Sequence, residues 1–150
     1  MGRMEVYGTP EEAARAGLPE DCDPAQVVGV VLRGDAAVVA QVVDRAGVPR
    51  GDFDTSTPRR VDGGWIPGAG GNSTASFIHT DDDKVTVVAW CPAPAEARAA
   101  RYVFLGREQT FPAEGGHVVA AFDDIPFSEF WPGDVDFPPE WPDLPAEWID

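Results

Sequence analysis

Histidine and cysteine are the side chains best suited to acid–base or nucleophilic chemistry, and this 150-residue chain has few of them. The histidines are His79 and His117, and the cysteines are Cys22 and Cys91. Neither histidine is next to a serine or a cysteine, so a catalytic triad would require the fold to bring distant residues together. We predict strand positions for the histidines, reduced thiols for the cysteines and no catalytic residue.

Aspartates occur in short groups that offer the hard oxygen ligands calcium accepts. The groups are Asp21 with Asp23, residues 81–83, Asp123 with Asp124, and Asp134 with Asp136. None has the spacing of an EF-hand loop, and aspartate is common in tight turns because its side chain bonds to nearby backbone. We therefore predict no cofactor and favour turn chemistry over a metal site, with structural calcium at one of these groups as the alternative.

Strong motifs for nucleotide binding, serine hydrolysis, zinc proteolysis and dithiol chemistry are absent from the sequence. Gly68-Ala69-Gly70-Gly71 is similar to a phosphate loop only in its glycine content, because no lysine follows and no suitable strand precedes it. These absences favour a non-catalytic protein.

Charge is the strongest compositional signal: 26 acidic and 11 basic side chains give a net charge of −15. Such a charge disfavours binding to free nucleic acid or to an anionic membrane. The N-terminus lacks the apolar segment of a signal peptide, and we expect a cytoplasmic protein. The charge is also uneven, because Arg107 is the last basic side chain before an acidic stretch that runs from Glu108 to Asp150.

The C-terminal tail, residues 126–150, combines prolines and carboxylates with large aromatic side chains, and it shows no helix or strand pattern. Proline-rich and acidic composition is typical of disorder, but disordered segments are poor in aromatics. Two copies of Pro-x-Glu-Trp occur within the tail. The predicted partner-binding residues are Phe127, Phe130, Trp131, Phe137, Glu140, Trp141, Glu147 and Trp148.

Two interpretations of these aromatics remain open. In the first, the tail wraps its own domain as an extended strap, and proline lowers the entropy lost on ordering. In the second, the aromatics are anchors for a partner whose basic surface meets the carboxylates, since tryptophan is frequent at binding hot spots and complementary charge speeds encounter.

Local signals define the first third of the chain. Thr9-Pro10 followed by two glutamates predicts a helix start, and Gly17 predicts its end. Two β-branched runs, residues 27–33 and 36–43, flank Gly34-Asp35, which is typical of a two-residue hairpin turn. Because both runs are apolar at nearly every position, we expect both strands to be covered on both faces.

Further hairpins follow. Residues 44–58 predict a polar connection, and residues 59–66 predict a hairpin that turns at 62–64. Glycine-rich residues 67–73 predict a break. Strand-like runs then recur at hairpin spacing, at residues 75–80, 84–90, 101–105, 109–111 and 117–122, with a loop at 94–100.

The predicted fold class is mostly β (α+β), with one short N-terminal helix, antiparallel hairpins in a small sandwich or curled sheet, and an extended acidic tail. We divide the chain into residues 1–67 with the helix and two hairpins, residues 75–125 as an antiparallel β sub-domain, and the tail. A chain of this length is expected to form one compact domain overall.

Two parts of the chain resemble small uncharacterised actinobacterial proteins. The first contains Thr9-Pro10-Glu11-Glu12-Ala13-Ala14, the valine hairpin and Gly63-Gly64-Trp65, and the second contains residues 85–90, the strand before Gly106 and residues 115–122. This resemblance implies a bacterial cytoplasmic protein and no known activity. The first half is also similar to part of a cystatin-like or NTF2-like sheet, although such folds normally close a pocket with longer helices.

Three hypotheses for function follow. The leading one is a non-catalytic interaction factor, of the immunity, inhibitor or accessory type, that engages a basic protein surface through its tail. The second is a small-molecule-binding module or enzyme, with a pocket between the valine hairpin and the Trp65 hairpin to which His79 or Cys91 contributes. The third is a structural subunit that docks its tail onto a neighbouring copy.

Overall fold

A computed structural model describes residues 5–47, 52–71, 73–142 and 144–150 of the protein. The chain forms two compact units, Met1–Ile78 and His79–Asp150. Strands hold 56% of the residues and helices 8%, and the strands form two antiparallel sheets. The predicted mostly-β class with antiparallel hairpins is therefore confirmed.

The first unit contains a helix and a six-stranded sheet within the described residues. The elements are α1 (Pro10–Ala16), β1 (Cys22–Arg33), β2 (Ala36–Arg45), β3 (Asp52–Ser56), β4 (Arg59–Val61), β5 (Gly64–Ile66) and β6 (Gly70–Gly71). The strand order is β5-β4-β2-β3-β6, and β1 pairs with β2 outside this path. Strand β2 is thus the centre of the sheet.

Helix α1 forms as its sequence predicts. The hydroxyl of Thr9 accepts a hydrogen bond of 3.1 Å from the backbone N–H of Glu12, and Pro10 occupies the first helical turn. The backbone N–H of Gly17 closes the last turn on the carbonyls of the preceding residues. The helix buries Ala13 in a cluster with Ala37 and Trp65.

The valine hairpin also forms, with Gly34 at a φ of 60° in its turn. Its two strands differ in burial, however. Strand β2 is buried through most of its length, whereas Val30 and Leu32 of β1 are 36% and 47% exposed. The prediction that both strands are covered on both faces is wrong for β1, because the face that carries Val30 and Leu32 is open to solvent, whereas Val31 between them is only 9% exposed.

Strand β3 lies in the stretch that we expected to be a connection, residues 44–58, of which residues 48–51 are outside the described residues. It pairs antiparallel with β2, from Val39 opposite Ser56 to Val43 opposite Asp52. Aspartate has low strand propensity, so the sequence signal is weak. Pairing with the buried β2 overrides that preference, and the prediction of a connection is wrong for residues 52–56.

The second antiparallel sheet begins with β7 (Ala75–Asp81), and the boundary between the two units falls within this strand. The remaining elements are β8 (Lys84–Pro92), β9 (Ala99–Phe104), β10 (Arg107–Glu114), β11 (His117–Pro126), α2 (Phe127–Phe130) and β12 (Glu147–Ile149). The strand order is β12-β9-β10-β11-β8-β7. Fully buried aromatic side chains, among them Phe104, Phe122 and Phe130, form much of its core.

The tail contains two elements that its sequence does not predict. The short helix α2 follows β11 directly, and β12 pairs with β9 through Glu147 opposite Arg101 and Ile149 opposite Ala99. The expectation of a tail without helix or strand is therefore wrong in these two places. Strand β12 forms because the edge of β9 offers unpaired backbone groups that a three-residue segment can satisfy.

We predict that Gly68→Ala destabilises the first unit by about 2–4 kcal/mol. A Cβ at this position would lie 1.8 Å from the carbonyl oxygen of Thr57, so the backbone has to move. Urea unfolding followed by far-UV circular dichroism measures the loss. Gly71→Ala is the matched control, since its Cβ meets nothing within 4 Å. Equal midpoints for the two variants would contradict the prediction.

Candidate functional site

Several aromatic side chains of the tail pack against the second unit. Phe130 is fully buried, with its ring 6.2 Å from that of Phe104 and 5.0 Å from that of Trp141. The ring of Phe127 lies 4.7 Å from His79 and 6.3 Å from Trp131. These contacts fix the start of the tail and Trp141 on the second unit.

The carboxylates of the tail also bind their own unit. Glu140 accepts a hydrogen bond of 2.8 Å from the backbone N–H of Leu105, and Glu147 pairs with Arg101 at 3.3 Å. Glu129 and Arg107 form two hydrogen bonds, of 2.9 and 3.2 Å. The bonds from Arg107 lower the pKa of Glu129, and the same bonds raise the pKa of Arg107.

One turn of the tail presents an aromatic side chain to solvent. The indole N–H of Trp131 donates to the carbonyl of Val135 at 3.1 Å, and the backbone N–H of Val135 donates to Pro132 at 3.3 Å. These bonds close residues 131–135. Phe137 follows directly and is 77% exposed, the highest fraction among the exposed large apolar side chains.

We call residues 134–137 the acidic-aromatic turn. Its carboxylates, Asp134 and Asp136, are exposed and form no ion pair with a described residue. Its apolar side chains, Val135 and Phe137, are 39% and 77% exposed. A third exposed apolar side chain of the tail, Leu144, lies outside the turn and is 75% exposed. The turn therefore combines free negative charge with apolar surface.

The structure thus separates the predicted partner-binding residues into two groups. Seven of these residues are held against their own unit by ring contacts, hydrogen bonds or strand pairing: Phe127, Phe130, Trp131, Glu140, Trp141, Glu147 and Trp148. Phe137 is the member that projects into solvent. In the sequence, Asp134 and Asp136 stand out only as possible calcium ligands and Leu144 does not stand out, although residues 134–137 alternate acidic and apolar side chains.

The histidines and cysteines show no catalytic arrangement within the described residues. His117 lies beside Trp90 with ring centroids 5.8 Å apart, and its Nδ1 is 3.2 Å from the carbonyl oxygen of Gly115. The Cys91 sulfur is 3.5 Å from the hydroxyl of Tyr102, whose pKa is raised by burial. Both cysteines are buried free thiols.

The first unit contains a cavity of about 110 Å³. It lies over β2, β3 and β6 beside the end of α1, and neither Trp65 nor a residue of β1 is among the described residues that line it. The described residues that line it are Ala14, Gly17, Pro19, Arg45, Asp54, Ser56, Pro67, Gly68, Gly70 and Gly71, without His79 or Cys91. The glycines resembling a phosphate loop thus form one wall.

Two polar residues of β3, Asp54 and Ser56, are among those that line this cavity. Asp54 and Ser56 are each 6% exposed and share one face of β3. Gln41, on β2 opposite Asp54, donates a 3.2 Å hydrogen bond to Asp54 Oδ2. Burial raises the pKa of Asp54 against the opposing effects of Gln41 and Arg45. Ser56 Oγ is buried and has no hydrogen-bond partner among the described residues.

The charge around the cavity is dominated by carboxylates. Arg45 bonds to Asp52 at 2.6 Å and lies 3.7 Å from Asp21. The backbone N–H of Phe53 and the Arg45 guanidinium lower the pKa of Asp52. One guanidinium is therefore shared by two carboxylates, and the third carboxylate, Asp54, has the neutral amide of Gln41 as its hydrogen-bond donor.

Comparison with protein-family models, with curated proteins and with solved structures finds no match to this chain. Within its described residues, no group of three or more potential ligands is arranged to hold a metal ion. No helix in that part of the chain is both long and apolar enough to cross a membrane.

We predict that Trp141→Ala lowers the free energy of unfolding by about 2 kcal/mol, because it removes the edge-to-face contact on the buried Phe130. Phe137→Ala is the control and should change stability by less than about 0.5 kcal/mol, since the side chain is exposed. Urea denaturation followed by far-UV circular dichroism compares them. A stable Trp141→Ala variant would show that the tail is not held by this contact.

We also predict that Ser56→Ala raises the free energy of unfolding of the unliganded protein by about 1 kcal/mol, because it removes a buried hydroxyl without a partner. The neighbouring Thr55→Val should lower it by about 1 kcal/mol, because the Thr55 hydroxyl donates a 2.6 Å bond to the carbonyl of Ser73. Thermal and urea unfolding test both variants. A destabilised Ser56→Ala variant would show that its hydroxyl is already satisfied.

Proposed function

We propose that this protein is a non-catalytic interaction factor, of the immunity, inhibitor or accessory type, whose acidic C-terminal region binds a basic protein surface. The observation that carries the proposal is the acidic-aromatic turn: Phe137 is 77% exposed beside two carboxylates without an ion pair among the described residues. The net charge of −15 and the absence of basic side chains after Arg107 support the choice of a basic partner.

The turn offers the two components of a binding hot spot. An aromatic ring that leaves water on binding supplies apolar area at little conformational cost. Carboxylates around the ring steer a basic partner towards it and add charge-assisted hydrogen bonds to arginine or lysine. The bonds that close residues 131–135 hold the first half of the turn, Asp134 and Val135, before any partner arrives, which reduces the entropy lost on association.

The aromatic side chains packed on the second unit contribute to partner binding indirectly. Phe130 and Trp141 fix the two sides of the turn in place through their mutual contact. The proposal therefore joins the two interpretations of the tail: a strap formed by most of the predicted residues positions one exposed anchor. Two buried free thiols are compatible with the cytoplasmic location that we propose for a bacterial protein of this kind.

The test is affinity capture from an extract of the source organism, with the full chain as bait and quantitative mass spectrometry as the readout. We expect the wild type to enrich a basic protein whose binding Phe137→Ala weakens about 10- to 30-fold. Asp134→Asn with Asp136→Asn should slow association several-fold at low salt. Affinities and rates are then measured with the purified partner by surface plasmon resonance.

Matched controls separate binding at this site from the general effects of acidic charge and of exposed apolar surface. Asp82→Asn with Asp83→Asn removes the same charge from an exposed hairpin turn, and Leu32→Ala removes an apolar side chain that is 47% exposed on β1. Both should bind as the wild type does. Equal loss in variants and controls, or a captured protein unaffected by Phe137→Ala, contradicts the proposal. Light scattering that shows self-association lost in Phe137→Ala would favour docking onto a neighbouring copy instead.

A further inference from the structure

The acidic-aromatic turn lies within a longer loop, residues 131–139, whose two ends meet at one place. The loop contains no helix or strand and directly follows α2. Phe130 and Trp141, close to its two ends, contact each other with ring centroids 5.0 Å apart. A surface loop of this length with its ends together is an Ω-loop.

The hairpin turn between β9 and β10 binds the chain on both sides of this loop. The ladder of β9 and β10 ends at the pair Phe104–Arg107, which leaves the N–H of Leu105 outside it. Glu140 accepts a hydrogen bond of 2.8 Å from this N–H. Arg107 donates to the carbonyl of Leu105 at 3.0 Å and to the two carboxylate oxygens of Glu129 at 2.9 and 3.2 Å. The turn thus links Glu129, before the loop, to Glu140, after it.

We propose that Leu105 and Arg107 are positioning residues for partner binding: by linking Glu129 to Glu140, they hold the 131–139 loop in the conformation that exposes Phe137. The effect on partner binding rests on the function proposed above, whereas the effect on the loop concerns the free protein alone. Glu140 then acts through the loop and not through contact with a partner, because its carboxylate is bound to the turn.

The backbone of the turn is stabilised by the same bonds. Leu105 and Gly106 have φ values of 49° and 75°, as a two-residue turn of type I′ requires. A leucine in this left-handed region is strained, because its Cβ approaches the following carbonyl oxygen. Hydrogen bonds at both the N–H and the carbonyl of Leu105 offset this strain. The fork-to-fork pairing of Arg107 with a carboxylate is directional, so it fixes orientation as well as distance.

The second half of the loop depends most on this link. The bonds of Trp131 and Val135 close its first half, but Asp136 and Phe137 lie beyond them and are exposed. Two prolines, residues 138–139, connect Phe137 to Glu140. Because proline fixes φ, this connection is stiff, and holding Glu140 also holds Phe137.

The first experiment measures ¹⁵N order parameters of the amides at 133–137 in the free full chain. Glu140→Ala removes the acceptor of the Leu105 N–H, and we expect the order parameters to fall from about 0.85 to below about 0.6. Glu140→Gln is the matched variant, because it loses the same charge but keeps an oxygen acceptor. Its loop should stay close to that of the wild type.

Arg107→Ala tests the other link in the same experiment. It removes the bonds to Leu105 and Glu129, and it should loosen the amides at 133–137 as Glu140→Ala does. Arg98→Ala removes the same charge from an exposed position of the second unit and should leave the loop rigid. Unchanged amide shifts at 85–90, in the buried strand β8, show that each variant remains folded.

The second experiment uses surface plasmon resonance and the basic protein that the wild-type chain captures. Glu140→Ala and Arg107→Ala should weaken its binding about 5- to 20-fold, because a loose loop must be ordered on association. Glu140→Gln and Arg98→Ala should bind within about threefold of the wild type. The direction for Arg107→Ala is diagnostic, since this variant is more negative and attraction to a basic partner alone would tighten binding.

Rigid loops in both alanine variants would overturn the proposal, whether or not a partner is captured. Equal loss of binding in Glu140→Gln and Glu140→Ala would also contradict it, because Glu140 would then contact the partner directly. Loosened loops with unchanged affinity would remove the role of Leu105 and Arg107 in binding. If the wild type captures no basic protein, the function proposed above fails, while the order parameters still decide whether the turn holds the loop.

Discussion

Each sheet of this protein depends on one strand whose side chains are almost entirely removed from water. In the first unit this strand is β2, in which residues 37–41 are at most 1% exposed, and in the second it is β8, in which residues 85–90 are fully buried. Burial on both faces supplies the apolar free energy that offsets the entropy lost by the chain. It also removes the strand backbone from solvent, so neighbouring strands must satisfy its N–H and C=O groups. A hairpin supplies one neighbour of each buried strand, β1 for β2 and β7 for β8, because a tight turn is the shortest connection between antiparallel strands.

The same constraint explains why polar groups inside the first unit are informative. Gln41 occupies a position in β2 that is only 1% exposed, and Asp54 across from it gives its amide a partner. Ser56, two residues along the same face of β3, has no such partner within the described chain. A stability-driven sequence would place an apolar side chain there. The hydroxyl of Ser56 is thus a polar group that the first unit buries at a cost in stability.

Much of the fold follows from local signals, and the exceptions share one physical cause. The start of α1 and the turns at Gly34 and Gly106 are encoded by residues within a few positions of each other. Strand β12 has no local signal and forms because the distant strand β9 is present to pair with it, whereas the polar β3 forms through its pairing with the preceding strand β2. The aromatics of the tail stand out in the sequence, but nothing local distinguishes the buried Phe130 from the exposed Phe137. The cavity is likewise assembled from α1, β2, β3 and the glycine segment, and its floor lies in a polar stretch without a motif.

Strand β1 is a long, valine-rich edge, the kind of surface on which amyloid-like stacking of one chain on another begins. Two irregularities interrupt it, one between Pro24 and Gln26 and one between Val27 and Gly29. Proline has no N–H to donate, and each bulge shifts the following side chains out of step with a flat neighbour. An incoming strand therefore finds a run of matched donors and acceptors only over the short stretch beyond Gly29. The valines of β1 can thus be exposed to solvent without making this edge strand a site of aggregation.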